Sequence, residues 1–347
     1  MGYKRDAIIV ALGLLWLGSS IARPIPHLDL THLAAVSDVI VVGRMGSIRQ
    51  VGITQIDDGR HKVLCRAMQS ELSVDQVLQG PQIAARISVQ FIIPTSFMGY
   101  ANPLEGAYRT FFLKQTVDSY GFASPHHASV PAIPGALSQG ETVRDRLVFQ
   151  LAAVLDSPVA PTELKLEAVY ALHSVLDEAA TRALNAAAAA PDQRVRLAAV
   201  AALLLRGDTT QFSAAVENLL RPEPGASQES IHNLAYAIGA GIKDPRLIPD
   251  LMKLQVSADP ITRRASVNAL NRTGSPDSEP GLVRALDDSD FENRFLAVFG
   301  LSLLAKDSDW SPDQETYRDR EREYLDHWKH WASEHSRVSG NSMAPAP

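Results

Sequence analysis

The sequence predicts two domains: a small all-β domain, built as a barrel or a sandwich, followed by an all-α superhelical solenoid. Two observations carry this prediction. A short phrase of small and apolar residues recurs five times in the second half of the 347-residue chain. In the first half, segments rich in β-branched and aromatic residues alternate with turn-forming residues, which is typical of short strands. The single cysteine, Cys65, excludes an internal disulfide and fits a small buried side chain.

The recurring phrase predicts five helices that belong to one repeating unit. Its copies begin at Ala168, Ala199, Leu234, Ser266 and Ala297, so successive copies lie 31 to 35 residues apart. A near-constant period of this length is typical of stacked helical hairpins. A second apolar segment follows each of the first four copies, so the unit is helix, turn, helix, turn. One hairpin cannot bury both of its faces, and stacking supplies the core.

Each copy has the features of a helix that packs closely against its neighbours. In the second copy, Val195, Ala199 and Ala202 fall on one face at helical spacing. Asp192 and Asp259, which precede two of the copies, predict capped helix starts. The fourth residue of the phrase is small in every copy, which lets a neighbouring helix approach. These residues are Ala171, Ala202, Ala237, Ala269 and Gly300.

Two copies share a longer pattern that identifies a family. Residues 192–203 and 259–270 begin with Asp, carry Arg four places later and end in Ala-Leu, and Asp290 with Arg294 repeats the spacing. This pattern resembles the HEAT-repeat family, including its bilin-lyase-type repeats. The resemblance implies a solenoid that serves as a scaffold, although some HEAT-like proteins of this pattern act as lyases or as chaperones for bound pigments. The third copy departs from the pattern, with Ser227 in the Asp position.

The same pattern assigns a structural role to the basic residues of these copies. Arg194 and Arg196, and likewise Arg263 and Arg264, stand at the family's basic position. We expect them to pack over a neighbouring turn or to pair with its Asp, and not to contact a ligand.

Residues 27–123 have a different texture and predict a small β-barrel or sandwich. Strand signals lie at 39–43, 61–74, 87–93 and 108–113, and turn clusters lie at 56–59, 79–81 and 102–106. The segments 38–43, 74–80 and 106–113 resemble an OB-type barrel of the tissue-inhibitor-like kind. Metalloprotease inhibitors of that class act through an N-terminal cysteine. This chain has none, so the resemblance does not carry that activity over, and a peptidase-inhibitor-like β-domain stays an alternative.

The start of the chain predicts export. Lys4 and Arg5 precede an apolar run over 7–18, and small residues end at Ala22, where we expect cleavage. An uncleaved membrane anchor is the alternative. The signal has a bacterial style, so we expect a periplasmic or secreted protein without stable membrane insertion after cleavage. The remaining predicted segments are a linker at 124–142, a solenoid of about five repeats at 143–308, a capping helix at 309–336 and a disordered tail at 337–347.

Few residues suggest chemistry, and each has a plainer structural interpretation. His327, His330 and Glu334 share one side of the last helix and are ligand types that suit zinc, but such residues are also typical of a solvated polar face. The adjacent residues His126 and His127 are the other metal candidate, although adjacent side chains on a loop tend to diverge. We therefore predict no metal and no cofactor.

Catalytic motifs are equally weak. The segment Ala136–Gly140 is one residue away from a nucleophile elbow, because Ala136 stands where Gly is needed, and it follows no strand. The carboxylate pairs at 177–178 and 287–288 lie near helix ends, where capping explains them. The net charge of −6, without basic blocks, argues against nucleic acid as a partner. We expect a non-enzymatic scaffold or adaptor that binds another protein, with no catalytic, cofactor-binding or metal-binding residue.

Overall fold

The structure is a computed structural model that describes residues 28–57, 62–95, 103–136 and 138–341. The predicted signal peptide and the end of the predicted tail lie outside the described residues. The chain forms two compact units, one ending at Ser129 and the other beginning at Val130. No helix among the described residues is long and apolar enough to cross a membrane.

The described part of the first unit contains one short helix and a curled β-sheet. Its helix α1 spans Leu30–Val36, and the capping side chain of Asp29 accepts a hydrogen bond from the His32 amide. The strands are β1 Val39–Met45, β2 Arg49–Asp57, β3 Lys62–Gln79, β4 Arg86–Pro94, β5 Tyr108–Gln115, β6 Tyr120–Phe122 and β7 Ser129–Pro131, the last of which spans the boundary between the units.

Five of these strands close into a ring, in the order β1, β3, β4, β6, β5 and back to β1. All neighbouring pairs are antiparallel except β4 and β6, which are parallel. The interior holds Val39, Val41, Leu72, Val89 and Phe111, which are almost fully buried. The predicted barrel is therefore confirmed, and the sandwich alternative is wrong, because β1 bonds to a strand on each side and leaves no open edge between two sheets.

Gly43 allows β1 to pair with both of its neighbours. Strand β1 changes register against β3 between Val42 and Gly43, which marks a bulge. A Cβ atom at Gly43 would lie 2.1 Å from the main-chain oxygen of Ser73. The two backbones approach too closely for any side chain at this point, so the bend that closes the ring depends on glycine.

Strand β2 is the main difference from the sequence prediction in this unit. Ile56 and Asp57, predicted as part of a turn, are the last residues of β2 and pair with Val63 and Lys62 of β3. Strand β2 pairs only with β3 and lies outside the ring. Most of its residues are exposed on both faces, so its sequence lacks the alternation that reveals a half-buried strand.

Between residues 138 and 341, the second unit is built from eleven helices. They are α2 Val143–Asp156, α3 Thr162–His173, α4 Glu178–Ala187, α5 Gln193–Leu205, α6 Phe212–Leu220, α7 Gln228–Gly241, α8 Ile248–Lys253, α9 Pro260–Thr273, α10 Glu279–Ala285, α11 Phe291–Ala305 and α12 Gln314–Asn341. Short 3-10 turns at Pro245–Leu247, Leu254–Val256 and Pro276–Ser278 flank α8 and precede α10. Helix α12 takes in residues 337–341, which the sequence assigned to the tail.

The five copies of the phrase lie in α3, α5, α7, α9 and α11, and we number the repeats one to five in this order. These helices pack side by side in chain order and form one layer. The small fourth residues of the first four copies, Ala171, Ala202, Ala237 and Ala269, are buried. The predicted all-α repeat architecture is confirmed. The face predicted for α5 is buried, and Leu197, Val200 and Leu204 are buried too, so the helix packs against others on several sides.

Side-chain caps begin most helices of this layer. Asp192 accepts from the amides of Arg194 and Val195, Asp259 caps α9 and Asp290 caps α11. Ser227 does the same for α7 by accepting from the Ser230 amide. The third copy therefore keeps a capped start without the aspartate that its neighbours use.

Helix α12 packs its aromatic side against the fifth repeat. The ring of Tyr317 lies 5.2 Å from that of Phe291 and 5.3 Å from that of Phe295, measured between centroids. Trp328 is fully buried, and its indole Nε1 donates to the main-chain oxygen of Trp310. The helix bends at Arg320, whose backbone angles are φ −128° and ψ 26°.

Substitution of Gly43 by alanine tests its role in barrel closure. We expect Gly43→Ala to destabilise the β-unit by about 2 kcal/mol or more, since the obstructing atom belongs to the backbone and cannot rotate away. Gly52→Ala is the matched control, because its Cβ would meet only the Cβ of Ala67 at 3.9 Å. Hydrogen exchange of peptides from β1 and β3 measures the effect, and equal exchange in the two variants contradicts it.

Candidate functional site

Three arginines make the same kind of contact between a repeat and the element that follows it. Arg196, Arg263 and Arg294 each stand four residues after the Asp that caps their helix. Each guanidinium donates to a main-chain carbonyl six residues earlier, which is that of Ala190, Ser257 and Asp288 respectively. Each also pairs with a carboxylate 25 to 27 residues later, at 2.7, 2.7 and 2.6 Å, on Glu223, Asp288 and Glu321 respectively. We call this series the arginine ladder.

The pair of Arg263 and Asp288 is the most buried rung. Their side chains are 13% and 8% exposed. Burial acts to raise the pKa of Asp288, but hydrogen bonds from Arg263, the Asp290 amide and Asn293 outweigh it, so the pKa lies below its usual range. Arg263 also donates to the carbonyls of Ser257 and Ala258. Each buried charge thus has several partners, as a buried ion pair requires.

A second set of contacts reaches the capping aspartates from the preceding repeat. The hydroxyl of Thr162 donates to Asp192, and Arg264 pairs with Asp290 at 2.9 Å. The Nε2 atom of His232 lies 3.7 Å from the carboxylate of Asp259. The hydrogen bond from Thr162 is the main cause that holds the pKa of Asp192 below its usual value. The predicted pairing with aspartates holds for Arg263 and Arg264. Arg194 and Arg196 pair with Glu163 and Glu223 instead.

The ladder is interrupted at the third repeat. Four residues after Ser227 stands Ile231, which is buried and carries no charge. Beside it lies a cavity of about 520 Å³. The cavity lies between the turn that precedes α7 and the turn that precedes α9. Its lining consists of Glu217, Leu219, Leu220, Arg221, Pro222, Ala226, Gln228, Ile231, Val256, Ser257, Ala258, Asp259 and Thr262.

The layer formed by α3, α5, α7, α9 and α11 also presents an exposed stripe, which we call the tyrosine stripe. Tyr170 of α3 is 49% exposed and Tyr236 of α7 is 60% exposed. Both are the third residue of their copy, so they occupy equivalent places when the helices stack. Between them, α5 offers Ala201 at the same place. The stripe also includes residues one or two helical turns away on the same helix faces. They are Glu163, Glu167, Glu229, Asn233 and, on α11, Phe299 and Leu303.

The candidate zinc residues do not converge. The ring of His327 stacks on Trp310 with centroids 3.7 Å apart, and burial lowers its pKa. His330 instead faces Glu334 at 3.3 Å in an exposed pair. Across the described parts of the chain, no group of three His, Cys, Asp or Glu residues could hold a metal ion.

The remaining candidates have structural partners. The amide of Gln150 donates to the hydroxyl of Ser138 and to the carbonyl of Ala136, which fixes the segment once compared with a nucleophile elbow. The amides of His126 and His127 both donate to the hydroxyl of Ser124. Cys65 is fully buried, and burial raises the pKa of its thiol.

The two carboxylate pairs also act in the architecture. Asp177 caps α4 through the Ala180 amide, while Glu178 pairs with Arg182. Asp287 pairs with Lys329 of α12, and Asp288 belongs to the arginine ladder.

Sequence reasoning missed the acidic ends of the ladder and its gap. Glu223 lies in a turn and Glu321 in the last helix, and neither belongs to the recurring phrase. The gap had a visible signal: Ile231 is the residue that aligns with Arg196 and Arg263 when the copies are superposed.

Comparison with known proteins agrees with this architecture. The family model "HEAT repeats" matches residues 218–302, so the C-terminal half contains HEAT-like repeats. No curated protein matches the chain. Among solved structures, the chain is similar to the designed armadillo repeat protein YIII(Dq.V1)4CPAF, solved in complex with the peptide (KR)4. The two are 19% identical, and the match covers 46% of this chain and 82% of that chain with a TM-score of 0.34.

The buried rung predicts strong coupling between its two charges. We expect Arg263→Met and Asp288→Leu each to lower the free energy of unfolding by about 3 kcal/mol, since each leaves a buried charge without its partner. The double variant should lose much less than the sum of the two. The exposed pair of Glu178 and Arg182 is the control, with a coupling of about 0.5 kcal/mol or less. Urea unfolding measures all of these, and additive losses at the buried rung contradict the account.

The capping aspartate Asp192 predicts a dependence of stability on pH. Its pKa is lowered in the folded state, so its charge stabilises the fold above the unfolded value of about 3.9 and ceases to do so as the pH falls through the folded value. Asparagine caps helices nearly as well but does not titrate. We expect Asp192→Asn to be less stable than the natural chain at pH 7, with a difference that shrinks below about pH 4. Thermal unfolding from pH 7 to pH 3 tests this, and a constant difference contradicts it.

Proposed function

We propose that the chain is a non-enzymatic scaffold that binds another protein through its helical unit. The observation that carries the proposal is the tyrosine stripe on a layer of HEAT-like repeats. Stacked repeats offer long continuous surfaces, and such surfaces are typical of protein-binding scaffolds. The fold alone does not specify a role, so the argument rests on the side chains that this surface presents.

The stripe has the composition of a protein-binding surface. Tyr170 and Tyr236 expose about half of their side chains or more. Tyrosine offers a large, stiff contact area with a polar end, and it is enriched among the residues that dominate binding energy. Leu303, also half exposed, extends the apolar character to the fifth repeat. Ala201, at the equivalent place between the two tyrosines, is 6% exposed, so the tyrosines are the residues of this row that a partner contacts.

Acidic residues border the same stripe. Glu163 pairs with Arg194 at 2.6 Å, whereas Glu167 and Glu229 are exposed on the same faces as the two tyrosines. Together with the net charge of −6, this border supports a partner segment with basic residues, because complementary charges steer association.

We further propose that the chain acts outside the cytoplasm of a bacterium. The support comes from the basic start and apolar run of residues 1–18 and from the small residues that end at Ala22.

Removal of the two tyrosines tests the scaffold role. We expect the double variant Tyr170→Ala and Tyr236→Ala to capture a partner in an amount lower than that of the natural chain by a factor of about ten or more. The reason is that exposed aromatic residues of this kind often contribute about 2 kcal/mol each to the free energy of binding. The measurement is affinity capture from cell-envelope extract with the chain lacking residues 1–22, followed by quantitative mass spectrometry.

The control replaces two exposed apolar residues outside the stripe, Val159 and Leu176, by alanine. Circular dichroism checks that both variants keep their helices. A protein retained by the natural chain and the control, but lost with the tyrosine variant, supports the proposal. Equal retention by both variants, or nothing retained by any, rejects it.

A further inference from the structure

The interruption of the arginine ladder leaves a space that arginine fills at three other junctions. At these junctions one arginine joins the turn before its own helix to the next repeat or, for the last of them, to α12. The three residues are Arg196, Arg263 and Arg294. At the junction between the third and fourth repeats, Ile231 takes the arginine position and lines the cavity of about 520 Å³. A leucine-sized side chain cannot reach across such a space, so no guanidinium joins the two turns there. The polar contact that remains is the approach of His232 to Asp259 at 3.7 Å.

Main-chain carbonyls at this junction are left without donors. At the other junctions the arginine donates to carbonyls one or two residues before the helix cap, such as those of Ser257 and Ala258. The equivalent residues before Ser227 are Gly225 and Ala226. Within the described residues, neither of their carbonyls accepts a hydrogen bond. Gly225 is exposed and Ala226 is half-buried, so a ligand that enters from solvent can supply the donors that arginine supplies at the other junctions.

The cavity is lined by both charged and apolar residues. Asp259, Glu217 and Arg221 belong to its lining and together carry one net negative charge. Leu220, Ile231 and Val256 form its apolar part, and Val256 is 76% exposed at the mouth. A long aliphatic stem with a cationic, hydrogen-bonding head matches this combination.

We infer that this cavity is a binding site for one arginine side chain of a partner polypeptide. The guanidinium takes the place that Arg196, Arg263 and Arg294 occupy at the other junctions. It donates to the carbonyls of the turn before α7, and its charge faces the carboxylate of Asp259. Lysine fits less well, because the ladder uses the planar, forked donors of arginine to reach a carbonyl and a carboxylate at once.

The inference rests on the proposed function in one respect, namely that the arginine belongs to a protein. The cavity lies at the turns between helices and shares no residue with the tyrosine stripe. The two proposals can therefore fail separately: the tyrosine variant should leave arginine binding unchanged, and filling the cavity should leave the stripe intact.

A titration with a single-arginine probe tests the site. The probe is N-acetyl-arginine N-methylamide, and its control is the citrulline analogue, which has the same shape without the charge. We expect saturable shifts of the methyl NMR signals of Ile231 and Val256 with the arginine probe and a Kd on the order of 1 mM, as suits a ligand of this size. With the citrulline probe these signals should not shift. Equal shifts with both probes, or no shift at about ten times that concentration, overturn the inference.

Two variants locate the binding within the cavity. Ile231→Arg supplies the missing guanidinium from the chain itself, so the Val256 signal should no longer respond to the probe. Asp259→Asn keeps a good helix cap while removing the charge, and it should weaken binding by about threefold or more. The second variant also serves if the first does not fold. A Kd unchanged by Asp259→Asn, or undiminished binding to a folded Ile231→Arg variant, contradicts the assignment.

Discussion

The contact of one guanidinium with a turn and with the next element is the constraint that recurs along the helical unit, at Arg196, Arg263 and Arg294. The recurring phrase is made of small residues, which bring neighbouring helices close but bury little side-chain area each. Polar turns therefore meet at every junction, and their carbonyls need donors. Arg263 meets this need at one junction by holding the carbonyls of one turn and the carboxylate of Asp288 in the next.

The third repeat lacks this arginine contact, and the cavity lies at that place in the helical unit. Apolar packing still joins α7 to α9, since Leu234, Ile238 and Val267 are fully buried. Stacking thus persists without the polar bridge, and the space is free for another molecule. The stack of related repeats thus has a distinct cavity at the repeat that departs from the pattern. In the function we propose, the tyrosine stripe provides contact area, whereas the cavity provides a point of specific recognition.

Local patterns determined how much of this could be predicted from the sequence. The helices of the repeats were recognisable because period, small residues and capping aspartates all act within one segment. The barrel was recognisable as strands, but ring closure through β1 and β5 depends on pairing between distant residues. Strand β2 was missed because both of its faces are exposed. Glu223 and Glu321 were missed because the acidic partners of the ladder do not recur at a fixed place in the phrase, and His327 was misjudged because its stacking on Trp310 comes from outside its helix.

We infer that the cavity beside Ile231 is a vacant arginine position of the ladder. A crystal structure of the Ile231→Arg variant tests this inference. We expect the introduced guanidinium to lie inside the cavity and to donate to the carbonyls of Gly225 or Ala226, in the geometry that Arg196 and Arg263 adopt. An introduced side chain that extends into solvent, with the cavity unchanged, would contradict the claim.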